Sequence, residues 1–333
     1  MNPHASRSGR FSALADLSAT NYRPHAMHSE QAVWVEKNCY VDVWIELLHA
    51  LKLEPAAAMA FTLTTDFEGD HCTFFKPPHT DLRTLYGIDV QELNIWRPLI
   101  DHAAEYLGAG KLISTEADSF WLPDTAGTDY QRHHVKTTIL LNDLDVDQQR
   151  LGYFHSAGYH QLLGEDFLQL FQRDAGEGVL PLYAELIRID RLQRRPAQEL
   201  ADVSYQLLCQ YMAWRPTSNP VPRFAARLNT DLSQLHAQGL AHYHAWAFTT
   251  LRQLGAAFEL ASNHLRWLAP HGHANLLAAA ERFDVIAQDS KSLILKLARV
   301  VNGKRAFDAA EAFAPMAQAW DDGMGLLARA VAE

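Results

Sequence analysis

"VEKNCYVDVWIELLHALKL", residues 35–53, sets a cysteine at the mouth of an amphipathic segment, and the fold turns on how it is read. Val43, Leu47, Leu48 and Leu51 recur at helical spacing and Pro55 closes the run, so the pattern predicts a helix starting at Cys39. The first turn of a helix presents unpaired N–H groups and the positive end of the macrodipole. These stabilise a thiolate and can receive the oxyanion formed when it attacks a carbonyl. The competing reading is a small apolar residue, because free cysteine is among the most buried residue types. Cys72, in an alternating segment, and Cys209, beside Leu207 and Leu208, read as core.

Working outward, residues 1–30 are rich in Ser, Asn, Pro and His and read as an irregular arm laid over the surface. Downstream, "AFTLTTDFEGDHCTFFK" (60–76) suggests two short strands around an acidic bend, and "PLIDHAAEYLGAG" a helix stopped by Gly108 and Gly110. "KLISTEADSFWLP" (111–123) and "HHVKTTILLNDLD" (133–145) read as strands, and "DVDQQ" turns the chain into a return strand, "RLGYFHSAGYHQL" (150–162). From Pro196 onward apolar residues recur at three and four spacing, predicting a helical domain. The expected organisation is α+β, with an arm at 1–30, an α+β domain at 31–195 and an α-helical domain at 196–333.

Composition narrows the function classes. The chain has 333 residues, 48% of them hydrophobic, enough to bury a large core, and its net charge of −10 argues against nucleic acid or an anionic membrane as partner. No apolar run approaches a bilayer span and the start lacks a secretory pattern, so a soluble cytoplasmic protein is expected. Three scattered cysteines read as free thiols. The histidine pairs His25/His28, His133/His134, His242/His244 and His271/His273 lack a third donor at a recognised spacing, so no metal is expected. Phosphate-cradling glycine loops and dinucleotide fingerprints are missing too, which indicates no cofactor of the protein's own.

A nucleophilic cysteine needs a base and a group that orients it. His134 opens the "HHVKTTILL" strand, although the period of two leaves His133 as an equal candidate for the inward position. His155, with Ser156, lies in the return strand, and Asp118 on the preceding strand is a second candidate orienter.

The stretches "NCYVDVWIELLHAL", "DFEGDHCTFFK", "DLRTLYGIDVQEL", "DSFWLPDTAGTDY", "HHVKTT" and "GYFHSAGY" resemble an uncharacterised bacterial family, DUF1839, from about residue 20 to the C-terminus. Genes of that family often stand beside amino acid:carrier-protein ligases. More distantly, the layout is similar to butirosin biosynthesis protein H, an acyltransferase with a papain-like N-terminal domain. The resemblance implies a papain-like first domain and transfer of an aminoacyl group from a carrier-protein phosphopantetheine thioester to an amine, with thioester or amide hydrolysis and non-catalytic carrier-protein binding as alternatives. It implies Cys39 as nucleophile, His134 as base and Asp118 as acid, with His155 as a further candidate because Ser156 stands where the family usually has an amide. The expected partners are an aminoacylated carrier protein and its ligase.

An aminoacyl substrate carries an ammonium group, for which the bend residues Asp66, Glu68 and Asp70 are candidates, weighed against a merely solvated loop. Asn38, beside the nucleophile, and His28 are further substrate-binding candidates, His28 either lining the cleft or pinning the arm. Arg188, Arg191, Arg194 and Arg195 are candidates for docking an acidic carrier protein, weighed against a solvated basic helix end.

Overall fold

A computed structural model describes residues 8–171 and 180–332, so the first seven residues of the expected arm lie outside the described residues. The chain divides into two compact units. The first holds residues up to Ser29, Cys39–Leu53 and Leu82–Arg194; the second holds Glu30–Asn38, Glu54–Asp81 and the chain from Arg195 onward. The chain therefore enters the second unit twice before the change of character near residue 195.

The first unit is α+β, an antiparallel sheet with helices on both faces. Its central strand β4 (Lys136–Asp145) comes from the β-branched and apolar run KTTILLNDLD, and all but its two end residues are buried. Around it run β2 (Asp89–Glu92), β3 (Leu112–Asp118), β5 (Arg150–His155), β6 (Gly158–Leu163) and β7 (Ala184–Arg188), in the order β2-β7-β3-β4-β5-β6. The segment expected as one return strand is thus two, split at Ser156, whose φ of 47° makes the turn. Part of the arm also departs from expectation. β3 pairs with β4 only as far as Leu141, and β1 (Arg10–Ser12) pairs with the remaining Asp143–Asp145. Arg10 Nε donates to Asp143 Oδ1 at 2.9 Å, fixing this added strand.

One sheet face carries α3 (Leu99–Gly108) and α4 (Gly164–Leu170), whose Leu99, Ile100, Leu107 and Phe167 share a core with Ile113, Ile139, Leu141, Leu144, Leu151 and Tyr153. The other face carries α1 (Cys39–Ala50), which starts where the sequence predicts and is buried from Tyr40 to Leu48 on every side. Burial of Trp44, Ile45, Leu47 and Leu48 contributes roughly 1.5–3 kcal/mol each.

The β4–β5 pairing contains a one-residue shift. Leu144 faces Leu151 and Asp143 faces Gly152, but Leu141 faces Tyr153 and Leu140 faces Phe154, leaving Asn142 as the extra residue of a bulge. The Asn142 side chain accepts from Leu14 N at 2.8 Å and donates to Leu14 O and Tyr159 Oη, both at 3.1 Å. Because of the shift, Leu144 and Leu141 both join the α3/α4 core despite their opposite parity.

The second unit is helical: α5 (Ala197–Trp214), α6 (Pro220–Thr249), α7 (Leu251–Leu268), α8 (Leu277–Asn302) and α9 (Ala309–Ala332), with α6 broken at Gly239. Residues 30–38 belong to it because Glu259 of α7 accepts from Val33 N at 2.6 Å and Trp34 N at 3.0 Å. The expected strands at 60–76 are absent. Ala60–Thr64 is a 3-10 helix, and only an isolated bridge joins Phe67 to Cys72. Ala60, Phe61, Thr62 and Leu63 are buried one after another, so the start of the run has no period that separates strand from helix. No helix among the described residues is long and apolar enough to cross a membrane.

Candidate functional site

Cys39 is the first residue of α1 and is half-buried. Its thiol lies 3.8 Å from Thr138 Oγ1 on β4, which it meets as a hydrogen-bond partner. The register puts Glu116 of β3 directly across from Thr138, and Asp118 across from Lys136. Side chains two apart share a face, so Thr138, Lys136, Glu116 and Asp118 form one patch on the α1 side. Within it Lys136 Nζ donates to Glu116 Oε1 at 2.8 Å.

His134 lies two residues before β4 and joins this patch. Its Nδ1–H donates to Asp118 Oδ2 at 2.6 Å, and its ring stacks on Phe120 at 4.3 Å with 9° between the planes. Asp118 is held in turn, since its Oδ1 accepts from Phe120 N at 3.0 Å. The pair fixes the tautomer that leaves Nε2 free to accept a proton, on a side chain 69% exposed. Four residues separate His134 from Thr138, about 13 Å along an extended strand. Among the described residues no imidazole hydrogen-bonds the Cys39 sulfur. The bulge decides which histidine is presented here: counted back from Leu144 in unbroken alternation, His133 would share the α1 face, and the extra Asn142 gives that place to His134.

His155 is not brought to Cys39. It follows Phe154, whose ring contacts Tyr22 and Tyr159 on the α1 side, and so points to the opposite face. There its Nδ1–H donates to Asp124 Oδ2 at 2.5 Å and its Nε2 accepts from Thr137 Oγ1 at 2.8 Å. Tyr153 Oη donates to the other oxygen of Asp124. Burial alone would raise the Asp124 pKa, but its bonds to His155, with help from His160 and Tyr153, hold it below the usual carboxylate range. The buried network ties the Pro123–Thr125 turn to the sheet. An orienting role for His155 beside Cys39 is thus replaced by this one.

His28 pins the arm. Its Nε2 meets Asp42 Oδ1 at 3.0 Å and its Nδ1 meets Glu46 Oε1, while Tyr22 Oη donates to Glu46 Oε2 at 2.6 Å. Burial lowers the His28 pKa, but the two carboxylates of α1 overcome it and raise it to about 9. A charged imidazolium therefore bridges the two buried acids of α1.

The remaining candidates are dispersed. Asn38 is buried and donates through Nδ2 to Phe75 O at 3.0 Å in the second unit. Asp66 pairs with Arg223 and Asp70 with His71, also in the second unit, leaving Glu68 as the exposed member of that bend without an ion pair among the described residues. Arg194 donates to Leu51 O at 2.6 Å and Arg195 pairs with Glu199. Arg188 pairs with Asp89, and Arg191 makes no hydrogen bond or ion pair among the described residues.

Residues that the sequence reading passed over include Thr138, Glu116 and Lys136, which surround Cys39 and His134, and Asp124, the partner of His155. Glu185 of β7 is a further one: buried, it accepts from Tyr40 Oη at 2.9 Å and Tyr183 Oη at 3.0 Å. Alternation in "STEAD" and "KTT" would have put Glu116 with Asp118 and Thr138 with Lys136, but pairing the strands needs the register.

Among the described residues no group of three or more His, Cys, Asp and Glu side chains converges as a metal ion would require. The family model of the DUF1839 N-terminal domain matches residues 23–189, and that of the DUF1839 C-terminal domain matches residues 197–329. No curated protein matches the chain. With both domain models matched in order along most of its length, the chain belongs to the DUF1839 family.

Proposed function

We propose that this protein is a cysteine-dependent acyltransferase with a papain-like first unit, moving an aminoacyl group from a carrier-protein phosphopantetheine thioester to an amine. The observation that supports the reading is the placement of Cys39, at the first residue of α1, on the same sheet face as the exposed His134–Asp118 pair. In this reading His134 Nε2 takes the Cys39 proton, the thiolate attacks the thioester carbonyl to form a new S–C bond, the carrier S–C bond breaks, and the leaving carrier thiolate takes that proton back from His134. The amine then attacks the Cys39 thioester, loses its proton to His134 Nε2, and the Cys39 thiolate leaves. Thioester exchange is nearly thermoneutral, so positioning contributes more than driving force. The reading requires His134 Nε2 to move within hydrogen-bond reach of the sulfur when substrate binds. Glu116, across from Thr138, offers a carboxylate on this face for the substrate ammonium. Water as acceptor would make the same site a thioesterase.

A second reading is favoured by one observation: the thiol's hydrogen-bond partner is the Thr138 hydroxyl rather than an imidazole. It casts the protein as a non-catalytic binder of the loaded carrier protein. Intact mass after mixing with an aminoacyl-loaded carrier protein separates the two. A covalent adduct on the wild-type protein that is absent from Cys39→Ala supports transfer, and deacylation without an amine supports hydrolysis. A stable complex with no adduct, unchanged in Cys39→Ala, overturns the catalytic reading.

A further inference from the structure

The first unit contains a cleft of about 480 Å³ lined by Arg83, Gly87, Asp89, Arg188, Asp190 and Arg191, with Gln91 and Gln193 at its sides. It is built by the end of α2 (His79–Tyr86), the paired strands β2 and β7, and the turn after β7. Gly87 makes the enclosure possible. The α2 terminus closes with Gly87 N donating to Arg83 O at 2.9 Å and Ile88 N to Leu82 O at 3.3 Å, and Gly87 has a φ of +69°. A Cβ there would stand 2.2 Å from Arg191 O, so only glycine lets the Arg191 turn approach α2.

The arginines lining the cleft have more donors than acceptors among the described residues. Asp89 holds Arg83 through one oxygen and Arg188 through the other, and Gln91 Nε2 adds a bond to it at 3.1 Å. Each guanidinium has five N–H groups, so this single carboxylate braces two arginines without satisfying them. Arg188 Nε is buried and has no hydrogen-bond partner among the described residues. Arg191, exposed at the rim, pairs with nothing among the described residues. Three cations against Asp89 and Asp190 leave the lining with an excess of positive charge.

We propose that this cleft binds the phosphate group of a small phosphate monoester, with Arg83 and Arg188 braced by Asp89 and Arg191 closing from the rim. Several guanidinium forks at one point match the multiple terminal oxygens of a phosphate, and Arg188 Nε gains its missing acceptor. The site stands apart from the reading of Cys39. The two lie at opposite ends of α1, about 18 Å long for its 12 residues, since Arg194, following the cleft residue Gln193, binds Leu51 O just past the helix end.

The test is calorimetric titration of the full chain, in wild-type and Cys39→Ala forms, with 4′-phosphopantetheine, pantetheine and inorganic phosphate. Saturable binding of 4′-phosphopantetheine or inorganic phosphate but not of pantetheine, weakened at least tenfold in Arg191→Glu and partly kept in Arg191→Lys, supports the site. Preference for 4′-phosphopantetheine over inorganic phosphate identifies an organic phosphate monoester as the ligand, and equal affinity a bare oxyanion. Arg191 has no partner to lose, so Arg191→Glu should melt as the wild type does. Equal binding of 4′-phosphopantetheine and pantetheine, no saturable binding of either phosphate probe, or affinity unchanged in Arg191→Glu overturns it.

Discussion

Thr137 and Thr138 are neighbours in β4, yet they serve two different environments. Thr137 donates into a buried network with His155, Asp124 and Tyr153, in which the imidazole nitrogens and both carboxylate oxygens have partners. Thr138 meets a half-buried thiol beside an exposed His134–Asp118 pair with an unused ring nitrogen. Both sides combine a hydroxyl or thiol, an imidazole and a carboxylate. The difference lies in access: a closed, satisfied network holds structure, and an open one with spare valence can do chemistry.

The strongest way to break this contrast is on the open side. His134→Ala should slow acyl transfer by about 100-fold or more, the usual loss for a general base, while the melting temperature stays near that of the wild type. His133→Ala is the control and should retain the rate; a slow His133→Ala with an active His134→Ala would reverse the assigned face. On the closed side, His155→Ala should destabilise the protein by about 3 kcal/mol, because it strands the buried Asp124 carboxylate. Urea unfolding measures this, and the rate per folded molecule should hold. A lost rate with unchanged stability would place His155 in the chemistry after all.

His28 extends the comparison to a third cluster, closed like that of His155. Its folded pKa of about 9 lies above the ordinary imidazole value, so its contribution to stability is complete below about pH 6.5 and is lost as pH rises through 9. The expected loss between pH 7 and 10 is on the order of 3 kcal/mol at most, absent in His28→Gln, and denaturant midpoints across that range measure it. Thr138→Val should have the smallest effect, less than about 1 kcal/mol in stability and a rate change within tenfold, since it removes one weak bond to a sulfur. A rate loss as large as that of His134→Ala would make Thr138 part of the reaction.

Helical spacing made α1 legible to its first residue, and the run TTILL made β4 legible as a strand, whose burial on both faces the structure adds. The Asp118–His134 pair was also within reach, as neighbours at the ends of consecutive strands. Other features depended on tertiary context. β1 exists because β4 outruns β3 and leaves an edge to fill, which nothing in RFS announces. His155 was a candidate orienter because it lies on the strand next to that of His134, but one step of alternation past Phe154 sends it to the other face. The basic run 188–195 looked uniform, while its members have different partners: Arg194 a helix-end carbonyl, Arg195 a glutamate and Arg188 an aspartate across the ladder.

The clasp of Leu14 on Asn142 carries a consequence for the whole site. A bulge is a phase element: it sets whether odd or even residues upstream look toward α1. The residue that locks this phase comes from the arm, far upstream of the cysteine in sequence. Leu14, just past the N-terminal strand, thus holds in place the extra residue that turns His134 rather than His133 toward α1.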